Sequence, residues 1–237
     1  MTTWRYIDSG PNIGAYNMAI DEELLARAQA GEALPVLRFY SWRPPAVSLG
    51  RFQKIEAAAN REVCKERGID IVRRITGGRA VLHDCELTYS IISRTDNPLF
   101  PPDVRGTYKV IATGLLSGLE NLGIHAEMVS RSSRHASLVK KDMRNPSCFS
   151  SPAWYEIIVN GRKIIGSAQR RVAGAFLQHG SILMKYDPAL EAEVIPGGGT
   201  VEAVTCIEQE LQRDVTVEEV KRAFKRGFAE ALGVTFA

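Results

Sequence analysis

The chain has 237 residues, 45% hydrophobic and 24% charged, which are ordinary values for a globular protein with ample length for a core. A net charge of only +3 gives no case for nucleic-acid binding, which would show a clustered basic face. No apolar run reaches the ~18 residues of a membrane span and MTTWRYIDSG has no apolar signal core, so a cytoplasmic protein with no membrane partner is expected.

In chain order, residues 4–8 read as a strand ending at the Ser9-Gly10-Pro11 turn. Ala15 to Ala30 reads as a helix with Ala15, Met18, Ala19, Leu25 and Ala28 on its apolar stripe and Gly31 closing it. Strands follow at Val36 to Trp42 and Ala46 to Leu49, a helix from about Ile55 to Arg67, and a strand from Ile69 to Ile75. Beyond Thr76-Gly77-Gly78-Arg79 come strands at Ala80 to His83 and Leu87 to Ser93, then a helix from Gly106 to Leu122. Residues 130–153 lack periodicity and read as a long loop, and long ordered loops are often functional.

Asn160-Gly161 is the pair a type I′ hairpin requires, which sets Val159 opposite Arg162 and Ile158 opposite Lys163. Strict alternation then puts Trp154, Glu156, Ile158, Lys163, Ile165 and Ser167 on one face. A strand at Phe176 to Leu183, a flexible Pro196 to Gly199 connection and a helix begun by a Thr216/Glu219 capping box complete the chain, with Gly233 as its stop. Strands and helices mix without βαβ regularity. The expected fold is therefore α+β, a mixed and largely antiparallel sheet flanked by helices, in one domain over residues 1–237.

Cys64, Cys85, Cys148 and Cys206 are widely spaced, with no CxxC pair and no His-rich tract, so free thiols and no metal site are expected. Three of them read as small buried hydrophobes. Cys148 lies between Pro146 and Pro152 in the long loop, and a nearby ammonium would favour its thiolate. Lys163 could supply that charge and move protons in acyl transfer, or it could form a cross-strand salt bridge with Glu156. His179 fits a catalytic or a satisfied core role, and a His83–Cys85 pair is a weaker candidate. Glycines at 77 and 78 would admit a ligand close to the backbone, with Arg73, Arg74 and Arg79 able to meet an anion. The clusters Arg73-Arg74, Arg131 to Arg134, Lys140-Lys141 with Arg144, and Arg170-Arg171 read either as solvated surface or as a docking surface for an acidic partner.

Three ordered stretches sharpen these readings. Arg73 to Asp84 (RRITGGRAVLHD), Gly161 to Gln169 (GRKIIGSAQ) and Leu177 to Ser181 (LQHGS), with Trp42 to Gln53 ahead of them, resemble the signatures of the lipoate–protein ligase and octanoyltransferase superfamily across nearly the whole chain. Cys148-Phe149 ahead of Trp154-Tyr155-Glu156, Arg79 in place of a third glycine and Gln169 after GSA are most similar to LipM-type octanoyltransferases.

The resemblance implies the biotin/lipoyl-attachment fold and a cysteine acyl-enzyme. Cys148 would take octanoyl from octanoyl-acyl carrier protein and pass it to a lysine of a lipoyl-accepting protein such as glycine-cleavage H protein. Cys148 and Lys163 would be catalytic. Arg74, Thr76, Gly77, Gly78, Arg79, His83, Gly166, Ser167, Ala168, His179 and Gly180 would bind the acyl substrate. No cofactor is expected, since thioester to amide runs downhill, and no accessory C-terminal domain is expected. The alternatives within the superfamily are an ATP-dependent lipoate–protein ligase and an octanoyl amidotransferase between lipoyl domains.

Overall fold

The computed structural model describes residues 2–32, 34–130, 147 and 155–237. Two sheets carry the fold. The larger has eight strands in the order β11-β1-β2-β6-β10-β9-β8-β7. Its members are β1 (Thr2–Asn12), β2 (Val36–Trp42), β6 (Glu86–Arg94), β7 (Glu127–Met128) and β8 (Ile157–Val159), with β9 (Arg162–Val172), β10 (Ala175–Leu183) and β11 (Val234–Phe236). β1 runs parallel to β2 and β11, and every other neighbour pair is antiparallel. The smaller sheet sets β3 (Ala46–Leu49) between β4 (Asp70–Arg73) and β5 (Val81–His83).

One face of the large sheet buries Leu37, Tyr89, Ile91, Ile165 and Phe176 against α4 (Val104–Glu120) and α7 (Val217–Leu232), the latter through Phe224 and Phe228. The opposite face is covered at one end by Leu24, Leu25 and Ala28 of α1 (Gly14–Ala30). The small sheet has its own core, where Val47, Leu49 and Ala80 meet Cys64 and Val194. Each fully buried side chain of this kind contributes ~1.5–3 kcal/mol, so the two cores hold the sheets as rigid platforms. Among the described residues no helix is long and apolar enough to cross a membrane.

The expected α+β class is what the chain adopts, and the bounds of β2 and β3 match those read from the alternation. Several elements differ for identifiable reasons. β1 does not stop at Ser9-Gly10-Pro11: its register shifts there and the strand resumes, because a bulge tolerates both a left-handed glycine and a residue without an N–H. The helix expected from Ile55 to Arg67 is two, α2 (Ile55–Ala58) and α3 (Arg61–Glu66), since Asn60 turns out as an N-cap and accepts from the Val63 N–H.

In α1 the buried face holds Asn17 and Asp21 beside Met18, Leu25 and Ala28, whereas Ala15 and Ala19 are exposed. Thr216 caps α7 as expected, but Glu219 pairs with Arg213 rather than completing the box. α5 (Pro188–Val194) and α6 (Ile207–Leu211) were not read from the sequence, although Asp187 before Pro188 is a capping pair. Apart from Ser147, the expected loop at residues 131–153 lies outside the described residues, and so do Cys148 and Trp154.

Candidate active site

A slot opens where the small sheet leans on the second face of the large one. Met18, Tyr40 and Trp42 form its apolar wall, Val81 and Thr88 lie across from them, and the backbones of Gly166 to Ala168 and His179 to Ser181 make its floor. The register explains why these two short runs meet: β9 and β10 are antiparallel, with Gly166 opposite Ser181 and Ala168 opposite His179. Small residues on this floor leave room for a chain rather than a side chain.

The polar end of the slot is saturated. His179 stands between Asp21, at 3.0 Å from Nδ1, and Thr76, at 2.7 Å from Nε2. The Asp21 carboxylate takes the Nδ1–H and the Thr76 hydroxyl meets Nε2, so both ring nitrogens are engaged. Asp21 also receives Arg38 at 2.7 Å and the Tyr40 hydroxyl at 3.0 Å, and Arg38 donates further to Asn17. Burial works to raise the Asp21 carboxyl, but the hydrogen bond and charge of His179 and the Arg38 guanidinium outweigh it and hold Asp21 below its usual value. His179 is thus the satisfied histidine of the two readings, and it lines the slot while fixed from both sides.

His83 stacks on Trp42 with ring centroids 4.0 Å apart and meets the Ser48 hydroxyl at 2.8 Å. Burial pushes its imidazole below the usual value against the pull of Glu86, whose carboxylate lies 3.4 Å from Nδ1. Arg74 does not point at solvent as an anion receptor. Its guanidinium is buried and donates to the carbonyls of Ser48, Gly77 and Arg79, pinning the Gly77-Gly78 turn to β3. Gly78 has φ 93°, a value that suits glycine alone, and a Cβ there would meet Arg74 at 2.9 Å.

Gly180 and Ser167 line the slot through their backbones. A Cβ on Gly180 would lie 2.6 Å from the Tyr89 ring, and Ser167 Oγ bonds the Tyr89 hydroxyl at 2.7 Å, so both turn their side-chain positions to the core and offer the slot only backbone. Cys85 is exposed at the bend after β5 rather than buried on a face shared with His83, while Cys64 and Cys206 are buried.

Lys163 lies on β9, just before the run Gly166 to Ala168 that makes the slot floor. The hairpin pairs Val159 with Arg162 and Ile158 with Lys163 as the Asn160-Gly161 turn requires, with Asn160 at φ 49° and Gly161 at φ 83°. Immediately beyond it β9 bulges, and Ile165 rather than Ile164 faces Ile157. Strict alternation therefore fails: Ile165 and Ser167 turn to the core, and the parity change sets Lys163 with Gly166 and Ala168 on the slot face. Lys163 is fully buried, and its Nζ lies 2.5 Å from Oε1 of Glu156, itself only 4% exposed. From the outside the chain at Val204 and Thr205 closes over it, the Thr205 N–H donating to the Lys163 carbonyl at 2.9 Å. An ammonium or a carboxylate alone in so dry a place would cost several kcal/mol, a penalty the pairing offsets.

Cys148 lies outside the described residues, but its bonded neighbour Ser147 is described and fully buried, in a parallel bridge with Ala80 just after the Gly-Gly turn. The basic clusters divide. Arg73, Arg74, Arg170 and Arg171 donate to backbone carbonyls of neighbouring segments and are structural, whereas the arginines and lysines at 131–144 lie outside the described residues. Asp21, Arg38, Tyr40, Ser48 and Ser181 were not singled out from the sequence. A buried-face Asp and Asn on α1 was the available signal. Among the described residues no group of three or more His, Cys, Asp or Glu could hold a metal ion.

A mixed sheet that carries a buried lysine and the small-residue floor of a narrow apolar slot on one strand is the setting in which the comparisons place this chain among enzymes of the lipoyl-attachment kind. Residues 14–229 match the family described as the lipoyl protein ligase A/B catalytic domain. The chain is 43% identical over 244 residues to octanoyltransferase LipM of Brevibacillus brevis, covering 99% of this chain and 88% of that one. It is 42% identical over 241 residues to octanoyltransferase LipM of Geobacillus kaustophilus, with 98% and 87% covered. A crystal structure of lipoate-protein ligase A bound with ATP superposes at a TM-score of 0.81 and 27% identity, over 100% of this chain and 88% of that one. The chain belongs to the lipoyl protein ligase A/B catalytic-domain family and is an acyltransferase within it.

Proposed function

We propose that this chain, as one catalytic domain over residues 1–237, moves an octanoyl group from octanoyl-acyl carrier protein to a lysine of a lipoyl-accepting protein such as glycine-cleavage H protein, in the cytoplasm and through a thioester on Cys148. The observation that carries the reading is the buried Lys163–Glu156 pair, with Lys163 on the strand that supplies the floor of an apolar slot. The LipM relatives support the acyl group, and the slot supports an unbranched chain, each buried CH₂ being worth ~0.8 kcal/mol.

The protons balance with Lys163 as the sole shuttle. The Cys148 thiolate attacks the donor carbonyl carbon, the carrier C–S bond breaks, and the departing thiolate takes a proton from the Lys163 ammonium. The acceptor amine then attacks the Cys148 thioester, gives its proton to neutral Lys163, and Cys148 leaves as thiolate. Glu156 holds Lys163 in place through both steps. The Gly77-Gly78 turn and the backbone at Gly166, Ser167 and Ala168 would supply donors for the oxyanion. Arg74 and Arg79 shape that turn, and Thr76, His83, His179 and Gly180 bound the acyl chain.

No ATP enters this sequence. An ATP-dependent lipoate ligase, the activity named for the superposed structure, would need Lys163 but no cysteine nucleophile. The Cys148→Ala chain is expected to lose transfer from octanoyl-acyl carrier protein to the lipoyl acceptor. Retained ligation by that variant with ATP and free lipoate would overturn the proposal.

A further inference from the structure

A second buried carboxylate lies outside the slot and has no role in the chemistry above. Glu191 on α5 is only 1% exposed. Among the described residues no Lys or Arg is paired with it; three neutral donors converge on it instead. The Tyr186 hydroxyl donates to Oε2 at 2.6 Å, the Gly199 N–H to the same oxygen at 3.2 Å, and the Ser147 hydroxyl to Oε1 at 2.7 Å. Burial and then the Glu191 charge push the Tyr186 hydroxyl up, as a donor to a carboxylate requires.

The segment expected as a flexible Pro196 to Gly199 connection is part of this cage. Gly199 has φ 82°, and a Cβ there would lie 2.4 Å from the Pro188 carbonyl, so the backbone wraps the start of α5 closely enough to reach the carboxylate. A buried charge without a counter-charge is a poor way to gain stability, since an apolar residue of similar size would serve better. It is a good way to fix one hydroxyl. Oε2 is occupied by the cage, which leaves Oε1 oriented for Ser147 alone. Ser147 in turn sits in a parallel bridge with Ala80, at the end of the Gly77-Gly78 turn.

We propose that Glu191 is a positioning residue: by holding the Ser147 hydroxyl it fixes the point at which the chain enters Cys148, beside the turn that would receive the acyl oxygen. This rests on Cys148 being the nucleophile, and it assigns the Glu191–Ser147 contact to the support of that nucleophile, while Tyr186 and Gly199 stabilise the buried carboxylate. Glu191 touches no substrate atom, so its effect is on the placement of the sulfur.

The test follows single-turnover acylation of Cys148 by octanoyl-acyl carrier protein, read as intact mass, together with the melting temperature of each full-length variant. Ser147→Ala is expected to slow acylation on the order of 10²-fold, the size of effect a ~1 Å misplacement produces. Ser147→Thr, which keeps the hydroxyl, is expected to restore the rate. Glu191→Gln should slow acylation in the intact chain and add little on the Ser147→Ala background, because the two side chains act through one contact. Tyr186→Phe removes a bond to the same carboxylate but leaves the Ser147 contact, so it should lower the melting temperature with little change in acylation.

If acylation tracks melting temperature across all four variants, or stays at the wild-type rate in Ser147→Ala, the positioning role is overturned while the thioester reading stands. If the wild-type chain forms no Cys148 adduct, the thioester reading falls, and the positioning role with it.

Discussion

The His179 and Lys163 regions bury charge in opposite ways. At the His179 end, Asp21 is met by a guanidinium, an imidazole and a phenol, and every partner is itself braced by α1 or the sheet. At Lys163 the ammonium has Glu156 at 2.5 Å, and elsewhere Ser147 is held by Glu191, with which no Lys or Arg is paired among the described residues. The first arrangement leaves the protons nowhere to go and suits a wall. The second keeps a buried amine against one carboxylate on the strand that supplies the slot floor. The most elaborate hydrogen-bond network of the site thus braces its wall, while the proposed chemistry falls to a lysine on the neighbouring strand.

The largest effect that would sharpen this contrast is expected at Lys163. Lys163→Arg keeps a cation against Glu156 but cannot exchange protons at neutral pH, so acyl transfer should fall ~10²–10⁴-fold while the melting temperature changes little. Steady-state transfer and calorimetry on the same sample check it, and a wild-type rate in Lys163→Arg would remove Lys163 from proton transfer.

At the scaffold end the pattern should reverse. Arg38→Met leaves Asp21 buried without its guanidinium, and breaking such a pair typically costs ~3–5 kcal/mol of stability. Denaturant unfolding should show that loss, with the acylation rate of the remaining folded protein nearly unchanged.

A smaller effect is the dependence on pH. The folded Asp21 carboxyl is held below its unfolded value, so its contribution is fully present above the unfolded pKa of ~3.9 and disappears as pH falls through the folded one. The folded His83 imidazole is also held down, and there the unfolded chain binds the proton first, so stability declines as pH drops below ~6.5. Stability is therefore expected to fall in two stages on acidification. His83→Asn should flatten the upper stage and leave the lower, and urea midpoints measured from pH 7 to pH 3 would report it.

The fold was legible wherever periodicity spoke to burial. β2, β3 and the Asn160-Gly161 hairpin follow from alternation and turn chemistry, because those constraints are local. The site was legible only in part, since its partners are far apart along the chain: His179 and Asp21 are 158 residues apart, and Ser147 and Glu191 are 44 apart. The slot floor at Gly166, Ala168 and His179 was reached through motif resemblance. The β9 bulge was not, because one extra residue leaves no mark on composition while reversing which side chains share the face of Lys163. Asp21 and Asn17 were written over by a helix reading that assigned apolar residues inward, where the structure turns polar ones in to brace Arg38.

One measurement tests the central claim most directly. The intact mass of the chain is followed after mixing with octanoyl-acyl carrier protein and again after adding a lipoyl acceptor, without ATP. The account predicts one octanoyl adduct, located on Cys148 by peptide mapping, that disappears as octanoyl appears on the acceptor lysine. Octanoylation of the acceptor with no adduct on Cys148, or an adduct that persists when acceptor is present, would contradict it.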